Sequence, residues 1–282
     1  MKAPRACRSA LFMPASNARA VEKARGLPCD CVILDLEDAV APEGKPEARA
    51  AALRALGEGG FGTRLRVIRI NGESTVWGSD DLAALSGASI DAVLLPKVEE
   101  PATVARAKAA LGQAAATTRI WAMIETPRAV LNAAALAASG LIDAFVLGPN
   151  DLALGLRLPM GAPRESLHPY LAWAVLAARA HGLTILDGVF NDFGDQAGFD
   201  LDCEAARKMG FDGKTLIHPS QIEAANRIFA PDEAALADAR AIVAAFAAPE
   251  AQGKGALQIN GRMVERLHLA EAERLLALAA KA

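Results

Sequence analysis

Apolar and polar positions occur along this chain in blocks rather than in strict alternation. Eight short runs rich in Val, Ile and Leu contain few polar residues, a pattern typical of strands that are buried on both faces and therefore parallel. Ala-rich stretches between the runs carry Arg and Glu at helical spacing, as in residues 17–26, 45–57 and 101–112. The runs span residues 9–14, 31–37, 66–71, 92–98, 119–125, 144–151, 183–190 and 213–219.

Eight repeats of strand and helix predict an α/β fold, a (β/α)8 TIM barrel, as the catalytic domain over residues 1–230. A length of 282 residues suits one such barrel with a short addition. The alternative is a doubly wound sheet, which favours a Gly-rich turn after the first strand. The sequence there is "LFMPASN", without a G-x-G-x-x-G pattern, so we favour the barrel.

Residues 231–282 are predicted to form a C-terminal helical extension, which a barrel does not require. Residues 231–248 and 264–282 have helical spacing, and the segment 250–263 between them is rich in Gly. We expect this segment to be a short hinge and the last helix to dock elsewhere, on a neighbouring subunit. The alternative is a plain helix that covers the base of the barrel.

Composition excludes several classes of partner. A net charge of −3 and a pI near 5.9 argue against nucleic acid, because phosphate binding needs a basic stripe. No apolar run reaches about 18 residues without a charge, so we expect no membrane span. The four cysteines match neither a zinc pattern nor a disulfide framework, and they indicate reduced thiols in a cytoplasmic protein.

The candidate chemistry lies where the predicted strands end. In a TIM barrel these ends meet at one mouth, which is where active sites occur. Charged or polar residues follow most of the strands, and this coincidence is the signal for a site. The residues at the ends are Pro14, Glu37, Arg69, Lys97, Glu125, Asp151, Asp187 and His218.

Glu125 and Asp151 are carboxylates on adjacent predicted strands. Oxygen ligands of this kind hold Mg²⁺, or Mn²⁺ in its place, whereas zinc favours His or Cys. Backbone N–H groups of Gly148 and Asn150 suit anionic oxygens, and Arg69 suits a carboxylate or an enolate oxygen. The alternative is an acid–base pair for glycoside hydrolysis, but only 5% of the residues are aromatic, which is few for binding carbohydrate.

A second acidic group follows the second predicted strand in "CVILDLEDAV". We interpret Glu37 and Asp38 as groups that hold ligand waters, Arg69 or Lys97 in place, and Lys97 as part of the same support. Asp35 lies two positions before Glu37, so it shares the same strand face one layer deeper.

The chain resembles the citrate lyase beta-subunit-like and malyl-CoA lyase family of CoA-ester lyases, in motifs that follow the family's order from about residue 8 to 275. The motifs are "RSALFMP", "VILDLEDAVAPEGK", "IRINGESTVWG", "LLPKVE", "AMIETPRAVLNA", "LGPNDLA", "GFDGKTLIHPSQI" and "GRMVERLHLA". The resemblance implies a Mg²⁺-dependent homotrimer or homohexamer. It also implies reversible cleavage of a malyl-, methylmalyl- or citramalyl-type 3-hydroxyacyl-CoA into an acyl-CoA and a 2-keto acid.

The resemblance also assigns residues. It places the metal ligands on Glu125 and Asp151 and the substrate arginine on Arg69. Some relatives have Arg where this chain has Asn17, and Arg19 offers a cation for the phosphates of CoA instead. The CoA contacts are implied at Phe12, Asn17, Arg19, Lys23, Ile217 and His218.

One departure from the family pattern leaves the reaction open. The family's C-terminal segment reaches into a neighbour's active site, and an Asp there transfers a proton. This chain has Glu265, which keeps the carboxylate but adds a methylene. An (S)-malyl-CoA thioesterase is therefore an alternative to a lyase. A citrate lyase beta subunit acting on an acyl-carrier protein within a complex is another, although the extended C-terminal segment with Glu265 favours a stand-alone enzyme. A metal-dependent aldolase without CoA is a remoter alternative.

Overall fold

A computed structural model describes residues 7–280, in which eight parallel strands close into a barrel. The first strand pairs with both the second and the eighth, which completes the closure. This arrangement confirms the predicted TIM barrel and rules out the doubly wound sheet. The strands are β1 Ser9–Pro14, β2 Cys31–Asp35, β3 Leu65–Arg69, β4 Ala92–Leu95, β5 Arg119–Ile124, β6 Ala144–Leu147, β7 Thr184–Asp187 and β8 Gly213–Leu216.

Helices follow the strands, and polar caps start several of them. Asn17, Thr126 and Asp195 each accept a backbone N–H of the following turn, which satisfies groups that a helix start leaves unpaired. The helices are α1 Ala18–Ala24, α2 Lys45–Glu58, α3 Gly78–Leu85, α4 Pro101–Ala110, α5 Pro127–Leu131, α6 Ala133–Ala138, α7 Pro149–Gly155, α8 His168–Ala180, α9 Gln196–Met209 and α10 Ile222–Phe229.

Alternate residues of each strand fill the inside of the barrel. Ile33, Val67 and Met123 belong to one buried apolar cluster inside it. Because side chains alternate between the two faces of a strand, the inward positions that come next along these strands are Asp35, Arg69 and Glu125. The apolar interior is therefore topped by a charged layer at the mouth.

The described residues fall into two compact units, residues 7–226 and residues 227–280. We predicted a division between residues 230 and 231, and residues 1–6 and 281–282 of those two domains lie outside the described part of the chain. The second unit contains α11 Glu233–Ala247, β9 Ala256–Ile259, β10 Arg262–Glu265 and α12 Arg266–Ala279. In the described part of the chain, no helix is long and apolar enough to cross a bilayer.

The Gly-rich break is not the short hinge that we expected. It contains an antiparallel hairpin of β9 and β10, in which Ile259 pairs with Arg262. The two turn residues, Asn260 and Gly261, have φ angles of 49° and 77°. Asn-Gly favours this left-handed two-residue turn, because its twist matches that of the paired strands.

Candidate active site

A cavity of about 320 Å³ opens at the C-terminal ends of the barrel strands. It brings together seven of the residues predicted to bind metal, substrate or CoA. They are Phe12, Arg69, Glu125, Gly148, Asn150, Asp151 and Ile217. Asn191 also lines the cavity, and sequence reasoning missed it because it lies in a loop beyond the end of β7.

Arg69 is held by Asp35 at the mouth of the barrel. The two residues are register partners on β3 and β2, so their side chains extend from the same face of the sheet. Asp35 accepts from both Nε and Nη2 of Arg69 at 2.7 Å, and the guanidinium carbon lies 4.8 Å from the centre of the Phe12 ring. This bidentate pair fixes the plane of the guanidinium.

The other guanidinium nitrogen of Arg69 faces the remaining acids of the "DLED" stretch. Its Nη1 donates to Asp38 at 3.3 Å and lies 3.0 Å from Glu37 Oε2, without the alignment of a hydrogen bond. Burial raises the pKa of Glu37 to about 7; the cation of Arg69 opposes this rise, and the charge of Asp38 adds to it. These contacts bring Glu37 and Asp38 to Arg69, and their supporting role stays a prediction.

Glu125 is almost completely buried, with an exposed fraction of 1%. Its Oε1 accepts the backbone N–H of Lys97 at 2.7 Å. Burial, followed by the negative charge of Glu37, raises the pKa of Glu125 to about 8, and Asp151 contributes to the rise. A Cβ atom at Gly148 would lie 2.5 Å from Glu125 Oε2, so only glycine at 148 leaves room for this carboxylate.

Asp151 lies in the first turn of α7 and is half-exposed towards the cavity. The Nζ of Lys97 lies 3.6 Å from Asp151 Oδ1 and 3.9 Å from Glu37 Oε1. Among the described residues at the mouth, five carboxylates face two cationic side chains, while the buried ammonium of Lys45 donates to the backbone carbonyls of Leu36 and Glu37. The acids are Asp35, Glu37, Asp38, Glu125 and Asp151, and the bases are Arg69 and Lys97.

This excess of carboxyl groups over bases fits a divalent cation. Mg²⁺ commonly takes one or two protein carboxylates and completes its shell with water and substrate oxygens. Within residues 7–280, no group of three or more His, Cys, Asp and Glu side chains is arranged as a metal site. The assignment of Glu125 and Asp151 as the two protein ligands stays a prediction.

The predicted anion contacts of the "GPND" stretch need one correction. The N–H of Gly148 donates to Ile124 O at 3.3 Å, so it continues the strand pairing and does not serve the cavity. The side chain of Asn150 exchanges two hydrogen bonds with that of Asn191, at 3.2 and 2.9 Å. This amide pair joins the first turn of α7 to the loop after β7, beside Asp151.

Residues 8–219, most of the chain, match the family model described as HpcH/HpaI aldolase/citrate lyase. The chain belongs to this family. It is 44% identical over 272 residues to the (3S)-malyl-CoA thioesterase of Cereibacter sphaeroides, which covers 96% of this chain and 94% of the relative. The family resemblance inferred from the motifs is thereby confirmed.

Two further family members extend the comparison. The L-malyl-CoA/beta-methylmalyl-CoA lyase of Cereibacter sphaeroides is 34% identical over 294 residues, 94% of this chain and 92% of the lyase. The solved structure of the protein CitE from Mycobacterium tuberculosis, in complex with magnesium, acetoacetate and coenzyme A, is 34% identical. It matches with a TM-score of 0.76 over 96% of this chain and 97% of that one.

In the present protein, the basic residues that are predicted to bind CoA do not line the cavity at the mouth of the barrel. Arg19 and Lys23 line a groove of about 630 Å³ between α1 and α2, opposite Arg54, which sequence reasoning missed. Arg54 could have been found only as a base on an exposed helix, without a sign of which face it lies on. Asn17, which is also predicted to contact CoA, accepts the N–H of Ala20 and caps α1.

His218 is not among the residues that line the cavity. His218 stacks on Phe193 with ring centres 4.8 Å apart, and its Nδ1 lies 2.8 Å from Ser220 Oγ. Glu265 belongs to the second unit, where its backbone N–H donates to His268 Nδ1 at 2.9 Å at the start of α12. The proton-transfer role of Glu265 stays a prediction.

Asp187 ends β7 but does not line the cavity. The residue before it, Leu186, belongs to the interior cluster, so Asp187 points outwards to the helix layer. It contacts Lys214 Nζ and Arg164 Nη2 at 2.5 Å, and both cations also contact Asp202 on α9. This outer quartet of Arg164, Asp187, Asp202 and Lys214 pairs two acids with two bases.

Proposed function

We propose that this protein is a Mg²⁺-dependent enzyme that hydrolyses a (3S)-malyl-CoA-type thioester to malate and free CoA. The observation that supports a metal-dependent reaction is the excess of carboxyl groups over bases around the buried Glu125. The identity of 44% to a (3S)-malyl-CoA thioesterase, against 34% to a malyl-CoA lyase, favours hydrolysis over carbon–carbon cleavage.

Glu125 and Asp151 are the residues that would hold the cation, with Mn²⁺ as its substitute. Mg²⁺ bound there would polarise an oxygen of the substrate as a Lewis acid. Gly148 keeps the space for Glu125, and the N–H of Lys97 holds one of its oxygens. Because these contacts fix Glu125, little reorganisation is needed when the cation enters.

Arg69 binds the free carboxylate of the malyl group. Asp35 holds two of its nitrogens, so the guanidinium is oriented before the substrate arrives. Asn150 lies beside Asp151 at the cavity and contacts substrate oxygens, with Asn191 as its partner. In hydrolysis, water adds to the thioester carbonyl carbon, the C–S bond breaks, and the CoA sulfur receives a proton.

The CoA moiety extends from the mouth to the groove between α1 and α2. Phe12 lines the cavity, and Ala15, three residues further along the chain, lines the groove, so the two spaces lie close to each other. Phe12 and Ile217 contact the thioester arm, and His218 lies directly after Ile217. Arg19, Lys23 and Arg54 supply cations for the phosphates of CoA, as charge-assisted contacts require.

The second candidate reaction is reversible lyase cleavage at the same site. The substrate hydroxyl loses its proton, the bond between its carbon and the next carbon breaks, and the resulting acetyl-CoA enolate takes up a proton at carbon. Glu265 of a neighbouring subunit would transfer that proton in a homotrimer or homohexamer.

The free, buried cysteines of the described chain favour a reducing compartment, the cytoplasm.

The test uses purified protein with Mg²⁺ and a panel of malyl-, methylmalyl- and citramalyl-CoA. Free thiol and 2-keto acid are followed separately, with EDTA and Glu125→Gln as inactive controls. We expect thiol in equal amount to the hydroxy acid, without keto acid. Keto acid without thiol would establish the lyase reaction, and the absence of both products with every thioester would refute the proposal.

A further inference from the structure

Lys97 follows β4 in a backbone conformation that is unusual for lysine. Its φ angle is 50°, one of three positive values at non-glycine positions within residues 7–280. L-residues adopt this left-handed region at a cost unless their surroundings hold them there. Pro96 and Val98 on either side are buried, so the chain is fixed around Lys97, whose own side chain is half-exposed.

This conformation gives Lys97 two separate contacts with the acidic mouth. Its backbone N–H donates to Glu125, and its ammonium lies between Asp151 and Glu37 at 3.6 and 3.9 Å. The backbone contact survives any substitution except proline. The ammonium contact depends on the lysine side chain alone, so the two can be separated by mutation.

The ammonium lies beside carboxylate oxygens that a divalent cation would bind. Asp151 is one of the two proposed metal ligands, and Glu37 is one of the acids that disfavour ionisation of the other, Glu125. Arg69 is engaged by Asp35, and Lys97 is the base that contacts Asp151 in the described part of the mouth. A compact point charge on a flexible stem can also move away.

We propose that the Lys97 ammonium is an internal competitor of the divalent cation: it pairs with Asp151 and Glu37 in the metal-free protein and leaves Asp151 when the metal binds. The proposal rests on the assignment of Glu125 and Asp151 to the metal. It predicts a change in metal affinity opposite to the change expected for a residue that only supports the site. Removal of a support weakens metal binding, whereas removal of a competitor strengthens it.

The test is calorimetric titration of metal-free protein with Mg²⁺, together with thermal unfolding in EDTA. Lys97→Met keeps the length of the side chain and the backbone contact but removes the charge. We expect a Kd for Mg²⁺ about three- to tenfold lower than in the wild type, the scale of the half-exposed ion pairs that no longer compete. We also expect a lower Tm without metal and a larger rise in Tm on adding Mg²⁺.

Three further variants complete the design. Lys97→Gln repeats the neutralisation if Lys97→Met folds poorly, Lys97→Arg retains the charge and should stay near the wild type, and Lys108→Met on α4 controls for loss of a lysine elsewhere. An unchanged or higher Kd in the neutral variants would overturn the role of Lys97. Failure of the wild type itself to bind Mg²⁺ would instead overturn the metal assignment.

Discussion

Glu125 and Asp187 are both buried carboxylates close to the ends of barrel strands, yet their surroundings differ in charge. Burial and the neighbouring acids raise the pKa of Glu125 to about 8. Burial acts in the same direction on Asp187, but Lys214 and Arg164 overcome it and lower the pKa of that carboxyl. Two buried carboxyl groups near the ends of barrel strands therefore have opposite electrostatic surroundings.

The difference lies in the balance of charge around each acid. The outer quartet joins two acids to two bases and needs no further ion. The mouth has three more carboxyl groups than bases, because five of them face Arg69 and Lys97. A buried cluster that lacks cations of its own is a candidate for binding one, whereas a balanced cluster is a candidate for holding the fold together.

The largest effect is expected when the buried acid at the mouth is replaced by its neutral amide. With Glu125→Gln we expect kcat/KM for malyl-CoA to fall by at least about 10³-fold, because a bound metal contributes several kcal/mol to transition-state stabilisation. The free energy of unfolding of the metal-free protein should stay the same or increase, since the amide removes repulsion from Glu37 and Asp151. Steady-state kinetics and urea unfolding in EDTA measure the two effects.

The matched change in the outer quartet is Asp187→Asn. It leaves two buried bases with one acid, which should lower the free energy of unfolding by about 3–5 kcal/mol. Urea unfolding measures this loss, and Mg²⁺ affinity of the folded variant should remain that of the wild type. A variant within about 0.5 kcal/mol of the wild type would show that the quartet does not stabilise the barrel.

A smaller effect concerns pH. Glu125 has a pKa of about 8 in the folded protein against 4.5 as its ordinary value, so the folded state binds its proton more tightly. The stability from this protonated group is fully present below about pH 4.5 and is lost as the pH rises through about 8. Without metal, the difference in unfolding free energy between Glu125→Gln and the wild type should therefore grow with pH across this range.

Urea unfolding in EDTA at a series of pH values checks this trend. The comparison with Glu125→Gln separates Glu125 from Glu37, whose pKa of about 7 contributes in the same direction in both proteins. A difference that stays constant or shrinks as the pH rises would contradict the raised pKa of Glu125.

Much of the barrel and its mouth could be predicted from the sequence, because a parallel strand leaves a continuous apolar run. Residues at the ends of such runs, among them Glu125 and Arg69, then fall at one mouth by topology alone. Their partners could not be predicted. The pairing of Asp35 with Arg69 depends on strand register, which the sequence does not state.

The outer quartet could not be predicted from the sequence for a related reason. Lys214 stands inside a strand sequence, "GKTL", where a lysine is expected to be exposed, but Asp187 lies opposite it in register. Asp202 and Arg164 come from a helix and a loop that pack there only in the folded chain. The hairpin turn, by contrast, could have been predicted from the sequence, because the pair Asn260 and Gly261 favours a two-residue turn. Our interpretation of this segment as a Gly-rich hinge missed that pair.

The most direct test of the mouth as a cation site is titration of metal-free protein with Mg²⁺ in a calorimeter, for the wild type and Glu125→Gln side by side. We expect the wild type to bind one Mg²⁺ per chain and the variant to show no saturable binding. Absence of saturable binding to the wild type, or equal affinity in the two proteins, would contradict the assignment of the excess charge at the mouth to a metal ion.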